Sequence, residues 1–263
     1  MSGGMGSICA DLEAEHHELD AVVAALPDEE WDRSTPAEGW SIRDTISHLA
    51  YFDGTATTSA LEPELFVQET EAALESGRDL IAEGTEMGRA LDPPDVLDWW
   101  RQRRAAMLDA FRPLGASDRL PWYGPPMAAR SFATARLMET WAHGQDVFDS
   151  LGVDRLPTER LRHVAHIGVR ARPFAYFTNE REMPAAEIRV ELTGPGGDVW
   201  TWGPEEAADR VTGPALDFCL VVTQRRHPDD VSIETEGDAA ADWISIAQAF
   251  AGPPGGGREP GQF

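Results

Sequence analysis

The chain has 263 residues, 42% of them hydrophobic, so it can bury one large core or, more typically at this length, two modest ones. Its formal net charge of −24 argues against nucleic acid as a partner, because binding a phosphate backbone depends on clustered cations. All 22 basic residues are arginine, which excludes chemistry that needs a lysine amine: a Schiff base, pyridoxal phosphate attachment or a Walker A phosphate loop.

The chain also lacks the patterns of a membrane or secreted protein. No apolar run approaches the roughly 18 residues of a membrane span, and no signal-peptide pattern opens the sequence, which predicts a cytoplasmic protein with no membrane partner. Cys9 and Cys219 belong to no CxxC pair and are interpreted as ordinary buried thiols. No GxGxxG follows a strand-like run, so a nucleotide cofactor is not indicated.

Residues 1–7 are rich in glycine and serine, which predicts a flexible segment. Apolar residues then recur at helical spacing with short connections, a pattern that predicts an antiparallel helix bundle over residues 8–155. The predicted helices cover residues 8–26, 42–53, 62–87, 95–114 and 131–151. Ser41 and Asp44 predict a capping box at the start of the second helix. The connection PWYGPPMAAR either roofs a pocket or forms a surface loop.

The pattern changes near residue 156 and predicts a small α+β domain over residues 156–252. Its predicted elements are a helix over 160–177, a β-hairpin of 186–192 and 198–202 around Gly194–Gly197, a helix over 214–226, a strand over 231–235 and a helix over 240–251. His163 and His166 lie in the first of these helices without a nearby carboxylate, which favours structural roles. The glycine-rich and proline-rich residues 253–263 predict a second flexible segment.

Potential metal ligands lie on the predicted helix 131–151. Glu139 and His143 are four residues apart, so both side chains leave the same helix face, and Asp146 falls on that side too. A carboxylate and an imidazole can coordinate a divalent metal, but two protein ligands rarely suffice to bind it. A third ligand therefore has to come from elsewhere in the chain. His48, on the flank of the apolar stripe of the second helix, proves little by itself.

Three stretches of the sequence resemble a known family when they are taken together. They are GWSIRDTISHLAYFD, METWAHGQDVFDSLG and VTQRRHPDDVSIETEGDAAADWISIAQAFAGPPG. The chain looks like the mycothiol-dependent maleylpyruvate isomerase family of the DinB-like metalloenzymes, and more narrowly a subgroup of it described only as metal-binding. The resemblance covers most of residues 8–257. It implies a DinB-like helix bundle followed by a small α+β domain of the SCP2-like type.

The resemblance also implies site residues. His48, Glu139 and His143 match the positions of the zinc ligands, and two imidazoles with one carboxylate leave an open coordination position. Asp53 and Asp146 match acidic positions near the ligands, and Asp146 is expected to orient a histidine or to contact substrate. For both acids, helix capping or pairing with an arginine is an equally good interpretation.

The family further uses an arginine that reaches the metal cavity from the C-terminal domain, and TQRRH offers Arg225 and Arg226. A guanidinium there would bind a carboxylate or stabilise an enolate. Either residue can equally be a helix-terminal arginine that opposes the helix dipole.

The implied activity is that of a zinc-dependent enzyme with mycothiol as its thiol cosubstrate and a small electrophilic molecule as its substrate. Zinc lowers the pKa of the thiol, the thiolate adds to an activated double bond, the new single bond rotates, and the thiol leaves again. Stopping after addition or displacement gives a mycothiol S-transferase. The same residues also fit a thiol-independent zinc hydrolase or Lewis-acid enzyme, or a small-ligand binding protein with a structural metal.

Overall fold

The computed structural model of the chain describes residues 4–262. The chain divides between Asp154 and Arg155 into two compact units. The first unit is built mainly of α-helices, and the second combines helices with a four-stranded sheet. The predicted order of a helical part followed by a small part with a β-sheet is therefore confirmed.

Helix α2 is the central element of the first unit. The elements of this unit are α1 (Met5–Val23), α2 (Ile42–Leu61), α3 (Pro63–Ser76), α4 (Leu80–Arg89), α5 (Pro93–Phe111), β1 (Arg119–Leu120), β2 (Met127–Ala128) and α6 (Ala129–Leu151). Helix α2 packs against α3, α4, α5 and α6. Its apolar face enters the core through Ile42, Ile46 and Leu49, all fully buried. The helix that carries His48 is thus held on several sides.

The start of α2 is fixed by the predicted capping box. The Ser41 side chain accepts a hydrogen bond from the backbone N–H of Asp44, and the Asp44 carboxylate accepts one from the backbone N–H of Ser41. Asp44 is also bound by Arg89 of α4 at 2.7 Å. These bonds satisfy backbone donors that the first helical turn otherwise leaves unpaired. They also fix the residue at which α2 begins, less than two turns before His48.

Ser41→Ala is expected to lower the free energy of unfolding by about 1 kcal/mol, because the first turn of α2 loses its capping oxygen. Urea denaturation followed by circular dichroism measures the change. Ser76→Ala is the matched control: Ser76 bonds only carbonyl groups of its own helix at an exposed site, and its loss is expected to stay within about 0.5 kcal/mol. Equal effects of the two substitutions would contradict the capping role.

Several helix boundaries of the first unit differ from the sequence prediction by a few residues, and two of the differences change its interpretation. Helix α1 begins at Met5 because Met5 extends the buried face of Ile8 and Leu12, so residues 5–7 are helical rather than part of a flexible tail. Residues 1–3 lie outside the described part of the chain. Helix α2 continues to Leu61, so Asp53 lies in its middle and not at its end.

The long polar helix predicted over residues 62–87 is wrong, since two helices occupy this region. Helix α3 ends at Ser76, where Gly77 adopts the left-handed conformation with φ 66°. Asp79 then caps α4, accepting hydrogen bonds from the backbone N–H groups of Ile81 and Ala82. A glycine that ends one helix, followed by an aspartate that caps the next, marks a boundary between two helices. This boundary is easily missed because the whole segment is polar.

The second unit contains a mixed sheet with the strand order β4-β3-β5-β6. Its elements are α7 (Leu161–Arg170), α8 (Arg172–Thr178), β3 (Ile188–Thr193), β4 (Val199–Trp202), β5 (Asp209–Pro214), α9 (Ala215–Val222), β6 (Glu234–Glu236) and α10 (Asp238–Ile244). Strands β3 and β4 form the predicted antiparallel hairpin, and Gly197 has a φ of 89° in its turn. The buried side of this unit includes Leu192, Phe218 and Trp243.

Strand β5 is absent from the sequence prediction. It pairs in parallel with β3, with Val211 beside Val190. Its sequence, DRVTGP, buries only Val211 and contains both glycine and proline, so no alternating pattern marks it. Pairing with β3 and β6 stabilises this strand, although its own residues have little preference for strand structure.

Three helices of the second unit are shorter than predicted. The segment 160–177 breaks into α7 and α8 at Ala171, just before Pro173, which cannot donate a helical hydrogen bond. Helix α9 ends at Val222, and Gln224 follows with a φ of 58°. The last helix, α10, ends at Ile244.

Among residues 4–262, no helix combines the length and the apolar character needed to cross a membrane. Both cysteines are free and fully buried, as the sequence predicts: Cys9 lies in α1 and Cys219 in α9. Burial raises the pKa of Cys219 well above its ordinary value, so its sulfur stays protonated at neutral pH.

Candidate metal centre

Two histidines and one glutamate converge in the first unit. His48 lies on α2, while Glu139 and His143 lie one turn apart on α6. One ligand atom from each side chain lies within 4.8 Å of the other two. In the described part of the chain, this is the only cluster of three or more His, Cys, Asp or Glu side chains with such spacing. The structure thus brings the three predicted ligands together.

The spacing of the donor atoms fits a small divalent cation. Oε2 of Glu139 lies 3.4 Å from Nε2 of His143 and 3.9 Å from Nε2 of His48. Ligands about 2.0–2.1 Å from a tetrahedral zinc lie about 3.4 Å from one another, so only small side-chain adjustments are needed. Three such protein ligands leave one coordination position for water, thiol or substrate.

The surroundings favour the protonation states that bind a metal. Burial lowers the pKa of His48 to about 4, and the contact with Glu139 offsets only part of that fall. Burial alone would raise the pKa of Glu139, but its contacts with His143 and His48 outweigh burial and lower the pKa well below its usual value. At neutral pH His48 is therefore neutral and Glu139 ionised, the forms that coordinate metal.

Aromatic rings flank the two histidines. Trp40 stacks on His143 with ring centroids 5.5 Å apart and 11° between the planes. The centroid of the same indole lies 5.0 Å from that of His48. Phe52, one turn further along α2, contacts His48 at a centroid distance of 4.7 Å. The rings restrict rotation of both imidazoles and give the site an apolar wall.

Asp146 lies behind His143 on α6. The aspartate is fully buried, and its Oδ2 lies 3.6 Å from Nδ1 of His143. The other ring nitrogen of His143 faces Glu139, so each nitrogen has a different carboxylate beside it. A carboxylate in this position commonly fixes the tautomer and orientation of a ligating histidine. The geometry is compatible with the orienting role, which stays a prediction.

Asp53 takes part in a different interaction. Its Oδ1 accepts hydrogen bonds from Nε and a terminal nitrogen of Arg136 at 3.0 and 2.9 Å. Its Oδ2 lies 3.9 Å from Nε2 of His16, which is also buried. Asp53 does not belong to the cluster of candidate ligands. Of the two interpretations open from the sequence, pairing with an arginine is the one observed.

Arg225 and Arg226 follow α9 in the second unit. A terminal nitrogen of Arg225 donates to the carbonyl oxygen of Thr223 at 2.6 Å, and one of Arg226 donates to the carbonyl oxygen of Arg225 at 2.7 Å. Both guanidinium groups thus bond carbonyl oxygens just beyond the C-terminus of α9, where cations are favoured. Their role at a metal cavity stays a prediction.

Trp40 and Arg136 are absent from the residues that the sequence singles out. Trp40 precedes the capping serine Ser41, and only the folded start of α2 brings its ring over His143. Arg136 lies three residues before Glu139, on the buried face of α6. An arginine that falls on the apolar stripe of a predicted helix is a usable signal for a buried ion pair, and here it marks the partner of Asp53.

Comparison with known proteins places these observations in a family. A family model described as the mycothiol maleylpyruvate isomerase N-terminal domain matches residues 12–148, a span that includes all three candidate ligands. A second model, described as wyosine base formation, matches residues 184–235. Two uncharacterized proteins of Mycobacterium tuberculosis, from strains CDC 1551 and H37Rv, are each 46% identical over 253 residues, or 96% of this chain and 98% of their own length.

Solved structures agree at the level of the fold. The crystal structure of the mycothiol-dependent maleylpyruvate isomerase matches with a TM-score of 0.59 and 16% identity, covering 88% of this chain and 92% of that one. A crystal structure of a mutant of that enzyme matches with a TM-score of 0.58 over the same shares. The family model spans more than half of the chain, and the identity to the two mycobacterial proteins extends over nearly all of it. The chain therefore belongs to the mycothiol maleylpyruvate isomerase family.

Proposed function

We propose that the protein is a zinc-dependent enzyme that activates the low-molecular-weight thiol mycothiol for addition to a small electrophilic substrate, as in cis-trans isomerisation of maleylpyruvate. The observation that carries the proposal is the donor set of His48, Glu139 and His143, which has no fourth carboxylate or histidine in its cluster among residues 4–262. Two imidazoles, one carboxylate and a free position are typical of catalytic rather than structural zinc sites.

The side chains of this site have distinct tasks in the proposal. His48, Glu139 and His143 hold the ion, and a bound Zn²⁺ supplies the positive charge that lowers the pKa of a coordinating thiol. Asp146 keeps the Nδ1–H of His143 directed at its carboxylate, so that Nε2 presents its lone pair to the ion. Trp40 and Phe52 hold the imidazoles in place and line one side of the reacting centre.

An external thiol is part of the proposal because the chain offers none at the site. Cys9 and Cys219 are both fully buried, and neither belongs to the ligand cluster. The pKa of each thiol is raised, chiefly by burial, which disfavours the thiolate. Arg225 or Arg226 is proposed to bind the carboxylate of the substrate and its developing negative charge.

The finer fold description that we propose is DinB-like for residues 8–155 and SCP2-like for residues 156–252. The likeness to the crystal structure of the mycothiol-dependent maleylpyruvate isomerase, at a TM-score of 0.59, supports it. The name of that enzyme also supports isomerisation as the leading reaction. A mycothiol S-transferase requires the same centre and is the second candidate, since only the fate of the adduct differs.

Metal-loaded protein incubated with mycothiol and maleylpyruvate is expected to convert the cis substrate to its trans isomer, measured by ultraviolet absorbance and proton NMR. Omitting mycothiol or removing the metal with a chelator is expected to reduce the rate to the uncatalysed background, because both are needed to form thiolate. A stable thiol adduct would indicate S-transfer instead. Conversion without thiol would contradict the proposal and favour a hydrolase or Lewis-acid enzyme.

Asp146→Asn is expected to weaken zinc affinity by about 10–100-fold while full occupancy is still reached at saturating zinc, because the ion keeps its three ligands but His143 loses its orienting acid. Competition with a fluorescent zinc chelator measures the affinity. The control is Asp149→Asn on the same helix, since Asp149 accepts a hydrogen bond from Nε2 of Gln145. Unchanged affinity in Asp146→Asn would leave Asp146 without an orienting role.

A further inference from the structure

A cavity of about 310 Å³ lies in the first unit on the side of α2 that faces α3, α4 and α5. Its floor is a stripe on α2 formed by Ala50, Tyr51, Gly54, Thr55 and Thr58, which recur at the spacing of one helix face. The volume is at the lower end of the about 300–1,000 Å³ that small-molecule sites occupy. None of the candidate metal ligands lines it.

The cavity is separate from the metal centre. Phe52 lies between them: its ring centroid is 4.7 Å from that of His48 on one side and 5.9 Å from that of Tyr123, which lines the cavity, on the other. The rings of Phe52 and Tyr123 therefore separate a ligand in the cavity from the metal donors. The chemistry of this space has to be judged from its own lining.

The lining divides into apolar and polar parts. Phe66, Leu80, Met87 and Trp99 supply an apolar wall that suits an aromatic or branched hydrocarbon body. Two arginines, Arg78 and Arg103, also border the space. Such a mixture is the usual composition of a site for an amphipathic molecule.

The two arginines differ in their partners. Both nitrogens of Arg78 that face Glu83 bond its carboxylate at 2.6 Å, so this charge is already paired. Arg103 has no carboxylate within 4.0 Å among residues 4–262, although the chain holds 46 acidic residues for 22 basic ones. Its neighbours on α5, Arg101 and Arg104, are both paired with Asp20. Arg103 is therefore available to an anion from outside.

Two glycines inside helices let cavity-lining side chains pack closely against the helix backbone. A Cβ on Gly54 would lie 3.2 Å from Cδ and 3.5 Å from Nε of Arg103, so this glycine lets the arginine lie flat across α2 at the cavity. A Cβ on Gly84 of α4 would lie 2.9 Å from Cβ of Tyr51. Glycine in a helix interior costs about 1 kcal/mol relative to alanine, so close approach gives each a structural reason.

We propose that this cavity is a second ligand site, which binds a small amphipathic anion with its apolar body against Phe66 and Trp99 and its carboxylate on the guanidinium of Arg103. Glu69 also lines the cavity and is exposed. Exposed acids are common in this chain, whereas the Arg103 side chain packs against the α2 stripe at the cavity, with its Cζ 3.8 Å from the position of a Cβ on Gly54. The ligand is therefore an anion rather than a cation.

The test is calorimetric titration of the full-length, metal-loaded protein with benzoate, 4-phenylbutyrate and indole-3-butyrate. At least one acid is expected to bind in a one-to-one ratio, and the matching amine and alcohol, 4-phenylbutylamine and 4-phenylbutanol, are expected to bind more weakly. Arg103→Gln is expected to weaken binding of the acid about tenfold and to leave the alcohol unchanged. Arg101→Gln, on the same helix but outside the cavity, is the matched control and is expected to change neither.

A second variant tests the location by filling the cavity while every charged residue of the chain is kept. Gly54→Leu places a side chain in the cavity, where the nearest atoms belong to the flexible Arg103 side chain, and it raises helix propensity, so the fold is kept while acid binding is lost. His143→Ala is expected to retain acid binding. Any one of four results would overturn the proposal. They are failure of all three acids to bind, tighter binding of the amine than of the acid, unchanged acid binding in Gly54→Leu, and loss of acid binding in His143→Ala.

Discussion

Replacement of His143 by alanine is expected to abolish binding of a divalent metal while the helices of the first unit remain folded. The purified protein is expected to carry about one divalent ion per chain at a three-ligand site. Removing one ligand leaves only His48 and Glu139, and the affinity is expected to fall by more than the 10–100-fold that follows loss of an orienting partner. Inductively coupled plasma mass spectrometry measures the metal, and far-ultraviolet circular dichroism measures helix content.

The matched control for this experiment is His17→Ala. His17 lies on the exposed side of α1, next to the buried His16, and belongs to no cluster of candidate ligands. Its replacement is expected to leave metal content and helix content unchanged. Metal retained at full stoichiometry in His143→Ala would contradict the site assignment. Unfolding of that variant would assign His143 a structural role instead.

The second large effect is expected from Arg136→Met, which removes the partner of Asp53. The pair lies inside the helical unit with side-chain exposures of 4% and 0%. Loss of one member of a buried ion pair typically costs about 3–5 kcal/mol, because an uncompensated charge remains in the interior. Urea unfolding of both proteins at pH 7 measures the difference.

The loss of stability caused by Arg136→Met is expected to depend on pH. Burial raises the pKa of Asp53, and Arg136 offsets only part of that rise. Without Arg136 the folded-state pKa moves further above the unfolded value of about 3.9. Below that value Asp53 is protonated in both the folded and the unfolded state, so its ionisation does not affect stability. As the pH rises toward the folded-state pKa, the unfolded state releases the proton more readily, and the free energy of unfolding falls. The loss of stability is therefore expected to be larger at pH 8 than at pH 5.

Two further variants separate the buried charge from general packing. The double variant Asp53→Leu/Arg136→Met removes both charges and is expected to recover most of the lost stability, as apolar replacements of buried ion pairs often do. Arg101→Met breaks an exposed pair with Asp20 and is expected to cost less than about 1 kcal/mol. Equal losses in Arg136→Met and Arg101→Met would contradict the importance of the buried pair.

Two of the three candidate ligands are accessible from the sequence because the information is local. Glu139 and His143 share one helix face by their spacing alone, and the family resemblance added His48 from a distant helix. The capping box of Ser41 and Asp44 and the β3–β4 hairpin follow from short patterns in the same way, and the structure confirms both. Predictions of this kind depend on few residues and tolerate errors elsewhere.

Features that depend on distant pairing were not accessible. Strand β5 has one buried residue and no alternation, so only its pairing with β3 and β6 identifies it. The Asp53–Arg136 pair joins the middle of α2 to α6, and the sequence offers many acids for each arginine. The cavity beside Arg103 forms between four helices, one of which, α4, was hidden in a single predicted segment.

The distribution of the donors over two helices has a consequence for folding. Glu139 and His143 lie one turn apart on α6, so the helix itself sets the distance between them. The third donor, His48, joins them only when α2 packs against α6. An ion held by all three acts as a reversible cross-link between chain segments that three intervening helices separate. Since only the assembled pair of helices offers the complete set, saturation with metal shifts the equilibrium toward the folded chain by mass action.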